Sequence, residues 1–127
     1  MKKLMLSAML SAALVVPGVV LADEFVKGFQ AAEEHDYQQA VKKWEMMAQK
    51  GDHKAQLMLG MMYHSGLAGQ QDEKTAVILY EKAAKGGNLV AQEYLAIGYR
   101  EGWFGLKKDT KKARYWEEKV EQAGDLR

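Results

Sequence analysis

The chain has few side chains that could act as nucleophiles. It contains no cysteine, and beyond residue 22 its only serine is Ser65, which directly follows His64. Consecutive residues on a helix do not face each other, so His64 is badly placed to take a proton from Ser65. No G-x-S-x-G turn and no phosphate-binding glycine loop is present. The sequence therefore predicts a protein that is not an enzyme.

The carboxylates, histidines and methionines also lack a catalytic or metal-binding spacing. Glu33, Glu34 and Asp36 form the densest acidic group, which is typical of a solvated helix end rather than of a buried acid. The three histidines lie 18 and 11 residues apart, without a paired-histidine motif. Five methionines could suit copper, but methionine is also a common gap-filler between helices. We predict no metal and no cofactor; the methionines are residues 46, 47, 58, 61 and 62.

Charge is balanced overall but uneven along the chain. The formal net charge is +1, and it becomes about −1 without Lys2 and Lys3. This balance gives no general attraction to nucleic acid or anionic membrane. Residues 23–36 are acidic, whereas the segment KKDTKKAR at 107–114 is basic. Two alternatives follow for these segments: solvated helix ends, or a weak end-to-end contact between copies of the chain.

The N-terminal segment MKKLMLSAMLSAALVVPGVVLA has the pattern of a signal peptide. Two lysines precede a short apolar run, Pro17-Gly18 interrupts it, and small residues precede a cleavage site after Ala22. The apolar run is shorter than the roughly 20 residues that a membrane span needs. We therefore expect residues 1–22 to be removed, residues 23–127 to form one domain, and the protein to be periplasmic or secreted.

An internal repeat organises the rest of the chain. LGMMYHSG, beginning at Leu59, returns as LAIGYREG at Leu95, 36 residues later. Three helix endings also align, beginning at Ala40, Ala76 and Ala113, with a helical spacing of four, four and three residues. Each closes on a glycine suited to end a helix, followed by Asp or Asn suited to cap the next one. Asp36 and Gln39 predict a further capping box.

Helix pairs with a period in the thirties are typical of an α-solenoid. The pattern A-x-x-x-L-G-x-x-Y-x-x-G, a glycine-bearing loop, D-x-x-x-A and A-x-x-G-[DN] resembles the Sel-one-like repeat (SLR) family, a relative of the tetratricopeptide repeat. Residues 53–87 and 89–124 resemble two such units, and residues 24–51 resemble a shorter tetratricopeptide-like pair. The resemblance implies an all-α, right-handed α-solenoid of about six antiparallel helices. Gly60 becomes Ala96 in the last unit, which departs from the family pattern.

The resemblance implies a scaffold that binds a protein or peptide partner on its concave face. We therefore expect an exported protein-binding module. Two alternatives stay open: an immunity-type inhibitor of a periplasm-acting toxin, and a hydrolase of cell-wall or lactam substrates, as claimed for some cysteine-rich relatives. The resemblance also implies that the first helix of each pair lines the groove. Aligning these helices on Gly28, Gly60 and Ala96 predicts partner-binding residues Phe29, Leu57, Met61, His64, Glu93, Ile97 and Arg100.

Trp103 and Phe104 occupy a loop whose counterpart in the preceding unit carries Leu67 and Ala68. The turn itself does not require large aromatic residues. They are expected either to fold back over Trp116 as a structural lid or to project as an anchor for a partner, because aromatic residues dominate binding hot spots. Trp44 and Trp116 are expected to be structural.

Overall fold

The structure, a computed structural model, describes residues 17–125, with side chains described from Glu24 onward. These residues form six helices and no strand, and each helix packs mainly against the helices before and after it along the chain. The prediction of an all-α solenoid is confirmed. The helices are α1 (Pro17–Glu33), α2 (Tyr37–Gln49), α3 (His53–Ser65), α4 (Glu73–Lys85), α5 (Leu89–Glu101) and α6 (Thr110–Asp125).

The helix starts are capped as the sequence predicts. Side chains of Asp36, Asp52, Asp72 and Asn88 each accept a hydrogen bond from the backbone N–H three residues later, at 2.8–3.2 Å. Such caps satisfy backbone donors that have no partner within the helix. The capping box at Asp36 is only half formed, because the Asp36 N–H donates to the Ala31 carbonyl at 2.8 Å.

The helix ends follow the prediction in the first two units and depart from it in the last. Gly51 and Gly87 have φ values of +88° and +96°, the left-handed conformation that glycine adopts without a steric penalty. The predicted stop at Gly124 is wrong, because α6 continues through it to Asp125. No following helix has to be turned back within the described residues, so nothing there forces α6 to end at that glycine.

Large side chains from successive helix pairs fill the core. Trp44 and Tyr80 are each 1% exposed, Leu95 is fully buried, and Trp116 is 7% exposed. Trp44 and Trp116 are thus buried, as expected. One cluster of buried residues joins α2, α3 and α4, and a second joins α3 to α6. Burial of this kind holds each unit to its neighbour, as in other repeat proteins.

The tyrosine of each repeat forms a hydrogen bond that links its own helix, α3 or α5, to the preceding helix. The Tyr63 hydroxyl donates to Glu45 Oε1 at 3.4 Å, and the Tyr99 hydroxyl donates to Glu81 Oε1 at 3.1 Å. Burial, together with the bond to Glu81, raises the pKa of Tyr99 to about 12. The two bonds repeat with the 36-residue period, so this polar contact belongs to the fold.

The predicted signal peptide lies mostly outside the described residues. Pro17 is the first residue of α1, a position that suits its fixed φ angle. The predicted cleavage site after Ala22 falls within this helix, while residues 1–16 lie outside the described part of the chain. None of the described helices is sufficiently long and apolar to cross a membrane.

Candidate functional site

An open cleft of about 360 Å³ lies where α3, α5 and the loop after α5 meet, and we call it the aromatic cleft. Five of the nine predicted partner-binding residues line it, although they come from two repeat units and a loop. Most of the lining side chains are apolar or aromatic, which suits a ligand that buries carbon atoms. The lining residues are Met61, His64, Ser65, Tyr80, Tyr94, Ile97, Trp103 and Phe104.

Phe104 joins the walls of the aromatic cleft. Its ring centroid lies 4.8 Å from that of His64, 5.4 Å from that of Tyr80 and 6.1 Å from that of Tyr94. Its backbone is left-handed, with φ of +58°, which turns the loop back over the helices. Phe104 therefore packs on Tyr80, not on Trp116 as the lid hypothesis proposes. Burial, with a smaller effect of Tyr94, raises the pKa of Tyr80 above its ordinary value.

Trp103 behaves differently from its neighbour. Its side chain is 54% exposed, and its one ring contact is an edge-to-face contact with Phe104 at 6.3 Å within the described residues. Ile97 is also 39% exposed. An exposed tryptophan beside an exposed isoleucine leaves apolar surface at the mouth of the aromatic cleft, which is the feature that a binding partner would cover.

His64 and Ser65 show no catalytic geometry. The Ser65 hydroxyl donates to the Met62 carbonyl at 3.2 Å and accepts from the Leu67 N–H at 3.4 Å, so it serves the end of α3. His64 Nδ1 is buried without a hydrogen-bond partner among the described residues, and Glu73 Oε1 lies 4.0 Å away. The pair Ser65 and His64 thus forms a polar edge of the aromatic cleft. No group of three or more potential metal ligands occurs in the described residues.

The other predicted residues lie outside the aromatic cleft. Phe29 on α1 is 39% exposed and packs edge-on against Trp44 at 5.4 Å. Glu93 is exposed on α5, and exposed Arg100 forms an ion pair with Glu117 of α6. In the acidic segment, Glu24 pairs with Lys27 and Lys43 at 2.9 Å each.

The structure corrects the predicted groove at Leu57, which is buried. It is only 8% exposed and belongs to the same buried cluster as Ala91 and Leu95 of the next unit. The position three residues before the repeat glycine therefore faces the following helix pair and not the concave surface. Conversely, Tyr80 and Tyr94 line the aromatic cleft but are absent from the residues that the sequence predicts. Tyr94 could have been found from its spacing, because it lies three residues before Ile97 on the same helix.

Short antiparallel helix pairs that stack with a 36-residue period and leave an apolar cleft define an α-solenoid interaction module. The Sel1 repeat family model matches residues 53–88 and 89–124, more than half of the chain. The chain belongs to the Sel1 repeat family, and the resemblance seen in the sequence is confirmed. Proteins of this family are generally protein-interaction scaffolds without enzymatic activity.

Three proteins that are similar to this chain are all longer than it. It is 31% identical to c5321, a protective antigen of uropathogenic Escherichia coli with an SLR fold, with a TM-score of 0.73 over 82% of this chain. It is 35% identical to a Sel1 repeat protein from Oxalobacter formigenes, with a TM-score of 0.63 over 65% of this chain. It is 38% identical over 79 residues, 61% of this chain, to DAP3-binding cell death enhancer 1 of Rattus norvegicus. The chain spans 23%, 33% and 16% of these proteins, respectively.

Proposed function

We propose that this protein is an exported binding module that holds an apolar segment of a protein partner in the aromatic cleft. The observation that carries the proposal is the exposed pair Trp103 and Ile97 at the mouth of a cleft of about 360 Å³. Aromatic side chains in such positions supply much of the energy of protein–protein binding. The relative from Rattus norvegicus is itself named for binding another protein.

The cleft favours a partner segment with two or three apolar side chains and one polar group. Met61 is flexible and polarisable, so it can adapt to differently shaped side chains. His64 and Ser65 line one edge of the cleft, where a hydrogen-bonding group of the partner can reach them. A helix or an extended strand can present such a pattern of side chains.

Export is part of the proposal and rests on the N-terminal sequence. Small residues at positions 20 and 22 suit signal peptidase, so the exported protein is expected to begin at Asp23. N-terminal sequencing of protein recovered from the periplasm or the medium checks this start. Recovery with Met1 still attached would contradict cleavage, and recovery only from the cytoplasm would contradict export.

Met61→Glu tests the binding role of the cleft. The substitution places a charge on the apolar lining, so capture of the partner from periplasmic extract is expected to weaken by about tenfold or more, equivalent to about 1.4 kcal/mol. Capture is quantified by mass spectrometry against the unchanged protein. Met46→Glu is the matched control, because Met46 is 56% exposed on α2 and lies outside the aromatic cleft.

The control keeps a binding effect distinct from a folding effect. Both variants must keep the helical circular dichroism of the parent protein before their capture is compared. Equal loss with both variants would point to a general change in charge or folding. Unchanged capture by a folded Met61→Glu variant would rule out the aromatic cleft as the binding surface.

A further inference from the structure

A second cleft, of about 280 Å³, lies between α5 and α6, the last two helices of the described residues, and we call it the end cleft. Ala96, Ile97 and Val120 form its apolar floor. Glu93 on one helix and Glu117 and Glu121 on the other complete its lining. It lies beside the aromatic cleft but is a separate surface, and the two share only Ile97 among their lining residues.

The repeat places equivalent clefts in the preceding units, and in the structure each of those is covered by a helix. The equivalent positions of the preceding unit lie 36 residues earlier on the first helix and 37 residues earlier on the second. Five of these six residues are buried, and four of the five share one buried cluster with Ala91 and Leu95 of α5. For example, Tyr80 contacts Tyr94 with ring centroids 5.4 Å apart, and Gln92 Nε2 donates to the Ala84 carbonyl at 3.0 Å. The six residues are Leu57, Gly60, Met61, Tyr80, Ala83 and Ala84.

The first unit uses the same arrangement to hold α3. Gln56 Nε2 donates to the Ala48 carbonyl at 3.2 Å, which is the counterpart of the Gln92 bond. All six equivalent positions are again apolar or glycine: Phe25, Gly28, Phe29, Trp44, Met47 and Ala48. Both internal clefts therefore hold a 13-residue helix, and the end cleft is the third member of the series.

The end cleft differs from the other two in its charge. Glu93, Glu117 and Glu121 stand where the preceding unit has Leu57, Tyr80 and Ala84. The floor of the cleft changes together with these residues, because Ala96 stands where the preceding unit has Gly60. A Cβ atom at Gly60 would lie 2.7 Å from the Tyr80 ring, whereas the third unit has a glutamate opposite and carries Ala96. The third cleft is thus rebuilt around carboxylates while its floor stays apolar.

The charges indicate the kind of helix that fits. Arg100 pairs with Glu117, but the side chains of Glu93 and Glu121 form no ion pair or hydrogen bond with residues 24–125. A further apolar repeat helix would leave these two carboxylates desolvated without partners, which is costly. A stacked second copy would bring the acidic pair Glu33 and Glu34, at the end of its first helix, toward an acidic surface.

We propose that the end cleft binds one amphipathic helix of a partner protein, with small apolar residues along one face and lysine or arginine on both flanks. The apolar face rests on Ala96, Ile97 and Val120, as α3 and α5 rest in the internal clefts. The basic flanks pair with Glu93 on α5 and Glu121 on α6. Charge complementarity across the cleft sets the preference for a basic helix over an acidic one.

A pair of labelled peptides tests this proposal on the whole chain. Each has 13 residues, the length of α3 and α5, with an alanine and leucine face; one carries lysine on its flanks and the other glutamate. Fluorescence anisotropy is expected to detect saturable, salt-sensitive binding of the lysine peptide alone. Binding should shift the methyl NMR signals of Ile97 and Val120.

Glu93→Gln combined with Glu121→Gln is expected to weaken binding of the lysine peptide by about tenfold or more. Glu118→Gln is the matched control, because Glu118 is exposed on α6 outside the end cleft. The proposal is overturned if the lysine peptide fails to bind at about 1 mM. It is also overturned if both peptides bind equally, or if the double variant binds unchanged.

Self-association is measured by sedimentation equilibrium of the same proteins. A dimer of the parent chain that disappears in the double variant would assign the end cleft to a second copy and would overturn the proposal. A parent chain that stays monomeric while it binds the lysine peptide supports it. None of these variants alters Met61 or Trp103, so the result is independent of partner capture by the aromatic cleft.

Discussion

Replacing Trp44 by alanine is expected to lower the free energy of unfolding by roughly 3–5 kcal/mol, the largest effect of any single change considered for this chain. Trp44 is 1% exposed, and its indole N–H donates to the Phe25 carbonyl at 3.4 Å. Its ring also packs against Phe29 and, at 6.5 Å, against Phe25. Loss of the indole would leave a cavity between α1, α2 and α3.

The position of Trp44 in the array increases its importance. A repeat unit buries its apolar face only against its neighbours, so the first helix pair depends on few contacts. Gly28 shows how closely α1 approaches the indole, since a Cβ atom there would lie 2.4 Å from Trp44 Nε1. Without that ring, α1 loses the main surface on which it packs. Small domains are stable by only about 5–15 kcal/mol, so Trp44→Ala should approach unfolding at ambient temperature.

Urea unfolding followed by circular dichroism measures the effect of Trp44→Ala. Trp103→Ala is the matched control, because the same residue type is removed from a site that is 54% exposed. The control is expected to change the free energy of unfolding by no more than about 0.5 kcal/mol. A loss below about 1 kcal/mol for Trp44→Ala would show that the first helix pair is held by other contacts.

The repeat made the fold predictable from the sequence. Its period fixed the helix pairs, and local rules assigned caps such as Asp52 and Asn88 because a cap depends on residues only three positions apart. The buried tryptophans were predictable for a related reason. Trp44 lies in the alignment column that holds Tyr80, and a large aromatic residue that recurs with the 36-residue repeat period indicates a position packed in the core.

The binding surface was less predictable, because it depends on how helices are rotated against each other. Its position relative to Gly60 predicts Leu57 in the groove, but the next helix pair covers it. The change from Gly60 to Ala96 looked like a departure from the repeat pattern. The change is explained only when the residue on the facing helix is considered as well. Gly60 faces Tyr80, whereas Ala96 is aligned opposite Glu117. A sequence pattern read one helix at a time does not contain that pairing.

The loop after α5 was the hardest part to predict, and it separates two neighbouring aromatic residues. A left-handed backbone at Phe104 sends its ring inward to Tyr80, while Trp103 remains exposed. The sequence predicts one shared role for the two residues, either a lid or an anchor. In the structure Phe104 packs on the helices, and Trp103 has the exposure that an anchor needs. Sequence spacing cannot distinguish them, because no periodic element sets their directions.

Phe104→Ala is therefore expected to destabilise the protein by about 2 kcal/mol, below the range for a fully buried phenylalanine because the ring is only partly buried. Thermal melting should show a clear drop for Phe104→Ala and almost none for Trp103→Ala. Trp103→Ala should instead lose partner capture. Equal melting temperatures for the two variants would contradict this division of roles.

A third variant, Phe104→Gly, isolates the contribution of the ring from that of the backbone. Glycine adopts the φ of +58° without the strain that alanine retains there, so Phe104→Gly should recover up to about 1 kcal/mol of the loss seen with alanine. The remaining loss then measures the contacts of the ring with Tyr80, Tyr94 and His64. If glycine restored the full stability, those ring contacts would contribute nothing to folding, and Phe104 would have to be regarded as a second anchor beside Trp103.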